Sequence, residues 1–528
     1  KCAHIAVFYK ISVTLYIIIW EADRDDNITE IEKQGIAEVN IGGRPFYYAD
    51  IFVDPSNENR IFNIHSMVDI SEDGGKTFRV LLPYSGVHPD HHAWWIDPNN
   101  PNFMIDGNDG GMNITRNGGE TWRFVDNIPL AQYYHINVDN QIPYNIYGGM
   151  QDNGSWIGPS EVWKRGGIRN YDFQEVFFGD GFDVLPRRDN PRYGFAMSQG
   201  GNLGYYDRVS GLSQFVRPVH PEDTVLRFNW NAALAQNPFA DCGIYYGSQF
   251  VHKSMDCGQT WEIISPDLTT NNPEKQKANI SGGLTMDATQ AENHTTILAI
   301  APSPHDANVI WVGTDDGNLQ LTRDGGKSWN NLIGKLPNCP KNAWIPYIEV
   351  SKTNKEEVFI IVNNYRQNDF TPYAYKTTDL GKTWTRIANQ DNVKGHTLSI
   401  VQDPKAPNLL FLGTDYGLYI SFDGGSNWNK WKNDYPSVST RDLKIQEREG
   451  DLVVGTFGRA AWVLDDIRPL RAIAKSKAKV LDKSFELFDA PHAWLHENRS
   501  FDGVRFDADG GFRGDNANAN GAMLTLWV

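Results

Sequence analysis

Apolar residues in this chain fall in short runs broken by polar turns rich in Gly, Asp and Asn, a rhythm of strands rather than helices. The clearest stretch is 296–332. Ile297-Leu298-Ala299-Ile300 is followed by a polar turn from Pro302 to Asn308, then by Val309-Ile310-Trp311-Val312-Gly313. Thr314-Asp315-Asp316-Gly317, a third strand, a tight turn and a fourth strand complete it. The stretch 396–431 repeats the order, with Leu398-Ser399-Ile400-Val401, Leu409-Leu410-Phe411-Leu412-Gly413 and Thr414-Asp415-Tyr416-Gly417. Nine such modules can be traced, at 44–84, 91–127, 131–165, 177–218, 226–266, 296–332, 343–388, 396–431 and 440–466. Four short antiparallel strands per module, repeated along a chain, predict an all-β propeller of four-stranded blades.

Six modules carry one octapeptide in the turn before the last strand. Thr322-Arg323-Asp324-Gly325-Gly326-Lys327-Ser328-Trp329 is the type copy. The others begin at Ser71, Thr115, Ser254, Thr377 and Ser421. The Asp side chain accepts backbone N–H groups inside the turn. The Gly supplies a positive φ, and the Trp opens the next strand with a large apolar face. The pattern closely resembles the Asp-box (BNR) hairpin, which in that family joins the two outer strands of a blade. The box is a fastener and not a site.

Longer stretches resemble the large secreted bacterial BNR-repeat proteins with a sortilin-like propeller region, often labelled glycosyl hydrolases. They are His91-His92-Ala93-Trp94-Trp95-Ile96-Asp97-Pro98, Asp106-Gly107-Asn108-Asp109-Gly110-Gly111, Gln151-Asp152-Asn153-Gly154-Ser155, Ile264-Ser265-Pro266-Asp267-Leu268-Thr269 and Gly455-Thr456-Phe457-Gly458-Arg459. The resemblance covers about 43–466 and is similar in plan to two-propeller xyloglucan-cleaving glycosidases. It implies that 43–130 ends a first propeller and that 131–466 forms a seven-bladed ring. One large ring is the competing layout. Residues 1–42 match poorly. Residues 467–528 break the rhythm: 470–479 reads as a basic linker, and Gly521–Val528 as a strand of a further, truncated β-domain.

A net charge of −16 with no basic stripe argues against nucleic acid as a partner. The opening, Ile5 to Trp20, carries Lys10 and falls short of a membrane span, so it reads as strands. No transmembrane segment is expected, and a secreted or cell-surface setting follows from the resemblance. Among four cysteines, Cys242 and Cys257 could meet at one end of a hairpin as a disulfide or lie as buried thiols.

Candidate chemistry sits in the turns that feed the inner strands. His91 and His92, with His88 and Asp90, precede the second module's first strand; they suit a transition metal or an ordinary hydrogen-bonded loop. Asp106 and Asp109 flank a turn whose oxygens are of the kind calcium takes, with Asx capping as the alternative. No metal or other cofactor is assigned. Gln151, Asp152 and Asn153, and Asp180, are polar turn residues that would face a central cleft. Arg227, Arg366 and Arg459 could clamp an anion or lie in salt bridges. Two function classes follow. One is a recognition scaffold binding a glycan or polypeptide on the central face. The other is an endo-acting glycoside hydrolase with Asp152 and Asp180 as its carboxyl pair, since glycoside hydrolysis normally needs two. An Arg triad and an Arg-Ile-Pro signature are missing, which argues against a sialidase.

Overall fold

A computed structural model describes residues 50–164, 167–277, 291, 293–497 and 522–528. The apolar opening expected to form strands, and part of the polar insertion at 267–295, lie outside them.

Nine antiparallel sheets follow one another, at 50–82, 91–124, 133–177, 184–215, 234–263, 297–331, 344–388, 397–430 and 439–464. Each is a meander in which strand order in the sheet equals order along the chain. The first eight have four strands and the last has three among the described residues. The second strand of a sheet is covered on both faces, so it reads as a continuous apolar run: Ile310–Thr314, Val358–Asn364 and Leu410–Thr414 are buried at every position. Fourth strands such as Asn330–Asn331 and Asn429–Lys430 are short and polar, which suits an outer edge.

The sheets fall into two compact units that divide between Ile128 and Pro129. In the first, Phe62, Ile64 and Val68 of sheet one pack with Trp94, Ile96 and Met104 of sheet two. In the second, apolar clusters link each of sheets three to nine to the next. Tyr147 meets Val184, Phe195 meets Tyr246, Tyr245 meets Ile310, and Trp311 meets Ile360. Ile361 then shares a cluster with Leu410, and Phe411 with Leu443. Val453 of sheet nine returns to Tyr133 and Ile136 of sheet three. The seven sheets therefore form a closed ring, and the fold is a multi-blade β-propeller.

The closing seam is polar as well as apolar. Ile136 N–H donates to Asp442 Oδ2 at 3.0 Å, the Tyr144 hydroxyl to Asp451 Oδ2 at 3.0 Å, and Gln446 Nε2 to the Asp139 carbonyl at 3.0 Å.

The six repeated turns share one bonding scheme. Asp324 Oδ1 accepts Ser328 N–H at 2.9 Å and the Thr322 hydroxyl at 2.8 Å, and Thr322 Oγ1 accepts Gly326 N–H at 2.9 Å. Asn117 does the same with Thr121 N–H at 3.0 Å. The first residue of the Gly pair is replaceable: Cys257 and Leu380 stand there with φ of 59° and 57°. The second is Gly in every copy, because a Cβ on Gly326 would strike Ile264 and one on Gly381 would strike Trp311, both in the preceding sheet. Trp329 Nε1 donates to the Ile264 carbonyl at 3.1 Å and Trp428 Nε1 to that of Ile387 at 2.9 Å. The turns of sheets six, seven and eight thus latch onto the preceding sheet.

Cys242 and Cys257 are disulfide-bonded. The stretch expected as a basic linker is instead α-helical from Arg468 to Ser476. Ile467 and Ala474 enter the core of sheets eight and nine, and Arg471 makes a buried ion pair with Asp403 at 2.8 Å. The lysines that suggested a linker lie on its outer side. At the far end, Leu526–Trp527 pairs with Glu486–Leu487.

Candidate functional site

Antiparallel register sets the start of each first strand beside the turn between strands two and three. Tyr133 pairs with Met150, Trp344 with Asn363, Thr397 with Thr414, and Ser439 with Phe457. One end of the seven-sheet ring therefore gathers Gln151, Asp152, Asn153, Asp180, Arg366 and Arg459. Asp180 and Asp152 are neighbours: Asp180 Oδ1 accepts the Asp152 N–H at 2.7 Å, and Asp152 sits at φ 61°, as a turn residue does. Gln151 Oε1 accepts the Tyr134 hydroxyl at 2.6 Å, and Asn153 Nδ2 donates to the Gln151 carbonyl at 2.9 Å.

The other arginines differ in role. Arg227 takes the salt-bridge role. Its Nη2 bonds Asp267 Oδ2 at 2.7 Å and its Nε the Thr295 carbonyl at 3.3 Å, which ties the two flanks of the polar insertion to sheet five. Arg459 is exposed, and its N–H donates to Thr456 Oγ1 at 3.0 Å. The Arg366 guanidinium lies 3.3 Å from the Trp344 ring centroid and 4.5 Å from that of Tyr365. Tyr365 in turn packs on His396 at 4.8 Å.

Residues that the sequence did not single out complete this end. The Tyr134 ring packs on Phe182 at 4.6 Å and Phe457 at 5.4 Å, and Arg441 stacks 5.2 Å above it. Burial, opposed by Arg441 and reinforced by Asp180, pushes the Tyr134 hydroxyl up to about 12, so it is a neutral donor at ordinary pH. Asp315 is fully buried and saturated: Thr296 N–H at 2.9 Å, the Thr296 hydroxyl at 2.6 Å and Asn229 Nδ2 at 3.2 Å all donate to it, and His294 lies 3.2 Å away. A cavity of about 490 Å³ opens among His294, Asn342, Trp344, Asn363, Asn364 and Arg366, a size that fits a small organic ligand.

Deeper along the first strands is a compact charge cluster. Lys444 Nζ lies 3.6 Å from Asp442 Oδ1 and donates to the Tyr347 hydroxyl at 3.4 Å. Asn137 Nδ2 donates to Asp183 Oδ1 at 2.7 Å. Burial opposes the charge on Asp442, but Lys444, His135 and the Ile136 N–H outweigh it and hold the carboxyl at about 2. Burial raises Asp183, and it pushes Glu349 up to about 7 against the pull of Lys352 and Lys444. The signal for these groups was present as polar residues alternating through first strands, His135 and Asn137 in one and Asp442 and Lys444 in another.

His91, His92, Asp106 and Asp109 belong to the first unit. His91 Nδ1 bonds Asp106 Oδ1 at 2.8 Å with both side chains fully buried, and Asn108 Nδ2 donates to the other Asp106 oxygen at 2.7 Å. Asp106 is thus an internal acceptor and not an exposed oxygen ligand. His92 lies 3.3 Å from Asp109.

No protein-family model matches the chain. The oligoxyloglucan-reducing end-specific xyloglucanase of Emericella nidulans is 23% identical over 184 residues, 30% of this chain. The match spans 22% of that relative's length. Among solved structures, the computationally designed Ika8 protein aligns with 72% of this chain and 98% of its own, at TM-score 0.37 and 11% identity. A GH74 xyloglucanase from Xanthomonas campestris covers 79% of this chain and 72% of its own, at 0.26 and 13%. A GH74 enzyme from Niastella koreensis covers 78% and 75%, at 0.24 and 14%. Among the described residues no helix is long and apolar enough to cross a membrane.

Proposed function

We propose that this chain is a secreted or cell-surface glycan-recognising β-propeller of the Asp-box type, and that it takes its ligand at the end of the seven-sheet ring that bears Trp344, Tyr365 and Arg366. The observation that carries the reading is the cavity of about 490 Å³ beside the Trp344 indole, walled by the amides of Asn342, Asn363 and Asn364. Sugars are bound by pairing an apolar ring face with amide and hydroxyl partners for their hydroxyl groups, and that is what these side chains offer. The match to a relative named for xyloglucan cleavage places xyloglucan oligosaccharides among the first probes.

A second reading, hydrolysis, is favoured by one observation: Asp152 and Asp180 are held side by side through the 2.7 Å bond between them. A carboxyl pair about 5–10 Å apart beside an open groove is the requirement for glycoside cleavage. A glycan array combined with a reducing-sugar assay separates the readings. Binding lost in Trp344→Ala, with no sugar released, establishes the recognition scaffold. Release of reducing ends that stops in Asp152→Asn and Asp180→Asn establishes the hydrolase. An array without any hit sinks both.

A further inference from the structure

Two arginines at this end of the ring have no anionic partner. Arg366 and Arg441 make no hydrogen bond or ion pair among the described residues; each lies over aromatic rings, Trp344 and Tyr365 for the one, Tyr134 and Phe457 for the other. Arg227, Arg471 and Arg468 are engaged, with Asp267, Asp403 and Asp466; Arg459, at the same end, is exposed and stands over no aromatic ring among the described residues. In a chain of net charge −16 there is no shortage of carboxylates, so two unpaired guanidiniums at one locus call for an explanation.

Neither of the nearby acids forms an ion pair with Arg366 or Arg441 among the described residues. Asp315 is saturated by three donors and His294, and Asp180 accepts the Asp152 N–H. Both guanidiniums lie over aromatic rings, contacts that use the π faces and leave N–H groups available to an acceptor. Arg366 stands in sheet seven and Arg441 on the first strand of sheet nine, with sheet eight between them. Sheets seven, eight, nine and three are consecutive, and Arg441 and Tyr134 both exert an electrostatic effect on Arg366. Like charges gathered at one end of a ring repel, and a bound anion relieves that repulsion. The cavity opens directly beside Arg366 and adds His294 and the asparagine amides.

We propose that the ligand of this face is an acidic saccharide, bound through the carboxylate of a hexuronate residue by Arg366 and Arg441 while a neighbouring sugar ring stacks in the cavity. The proposal rests on the reading of this ring end as the glycan site. A planar carboxylate matches the planar fork of a guanidinium with two parallel hydrogen bonds. One carboxylate per sugar suits the site better than a densely sulfated chain, because the protein's overall negative charge repels a polyanion at long range.

Titration calorimetry on the full chain with trigalacturonate, neutral cellotriose and a heparin-derived sulfated tetrasaccharide tests it. Trigalacturonate is expected to bind at least about tenfold more tightly than cellotriose, with an affinity that falls as salt rises. Arg366→Ala and Arg441→Ala are each expected to weaken trigalacturonate about tenfold or more, and to weaken it by a larger factor than cellotriose. Arg323→Ala, which removes the same charge from an exposed outer turn, is expected to change neither. Arg366→Lys, which keeps charge and loses the fork, separates bidentate recognition from simple attraction: partial loss supports the fork. Equal affinity for cellotriose and trigalacturonate overturns the acidic-ligand inference and leaves the glycan reading standing. Preference for the sulfated probe overturns the carboxylate. No binding of any probe overturns both.

Discussion

Single residues in the ring show how burial sets chemistry. Glu349 and Asp442 share one first-strand neighbourhood with Lys444, yet one carboxyl is pushed up to about 7 and the other held at about 2. The difference is partner geometry: Asp442 has a backbone N–H, a histidine and a lysine close to it, whereas burial dominates at Glu349. The sign follows directly. A Glu whose folded pKa is raised is charged more readily in the unfolded chain, so stability falls as pH rises from about 4.5 to about 7. Glu349→Gln is expected to remove that fall and to gain about 2 kcal/mol at pH 8, with little change at pH 4. Urea unfolding curves at the two pH values check it; equal gains at both, or none, contradict the burial account.

The residue scale is also where the sequence was least legible. Asp152, Asp180, Gln151, Asn153 and Arg366 could be picked as polar turn residues, and antiparallel register brings them to one end. Tyr134, Trp344 and Arg441 could not, because aromatic residues fill every sheet of this protein and only the ring arrangement tells a lining ring from a core ring. Which of its two roles Arg227 takes was hidden for the opposite reason: its partner Asp267 is 40 positions away, beyond any local pattern.

At the scale of elements the reading was much fuller. The octapeptide turns were visible because each carries its own bonding scheme within eight residues, and local chemistry is written locally. The helix at Arg468–Ser476 was read as a linker because its lysines dominate the composition, while the residues that dock it are spaced one turn apart: Ile467, Arg471, Ala474. Its anchor is testable. Arg471→Ala strands the buried Asp403 carboxylate without its ion pair, although Lys405 and Ala406 N–H groups still donate to it. A loss of about 3 kcal/mol is expected, read from the urea midpoint, and Arg471→Ala combined with Asp403→Asn should recover part of it. If the single variant is as stable as the parent, the helix is not held by this pair.

At the scale of the molecule, the feature that organises the second unit is closure of sheet nine onto sheet three. Nothing in either sheet's own sequence marks that meeting, since repeats announce how many modules there are and not which two join. The seam is fixed by long-range partners such as Tyr144 and Asp451, 307 positions apart. Tyr144→Phe removes the hydroxyl donor from a buried carboxylate and is expected to cost about 1–2 kcal/mol. Hydrogen exchange should then report weakened protection in sheets three and nine together, with sheet six little changed. Loss confined to sheet three alone would contradict a shared seam.

That closure also sets an order of events during synthesis. Ile136 leaves the ribosome 306 residues before its acceptor Asp442. At roughly 5–20 residues per second, sheet three waits on the order of 15–60 s with one flank uncovered. The lining that joins Tyr134 to Arg441 does not exist on the nascent chain through that interval, so the face proposed to take the ligand is completed only as sheet nine emerges.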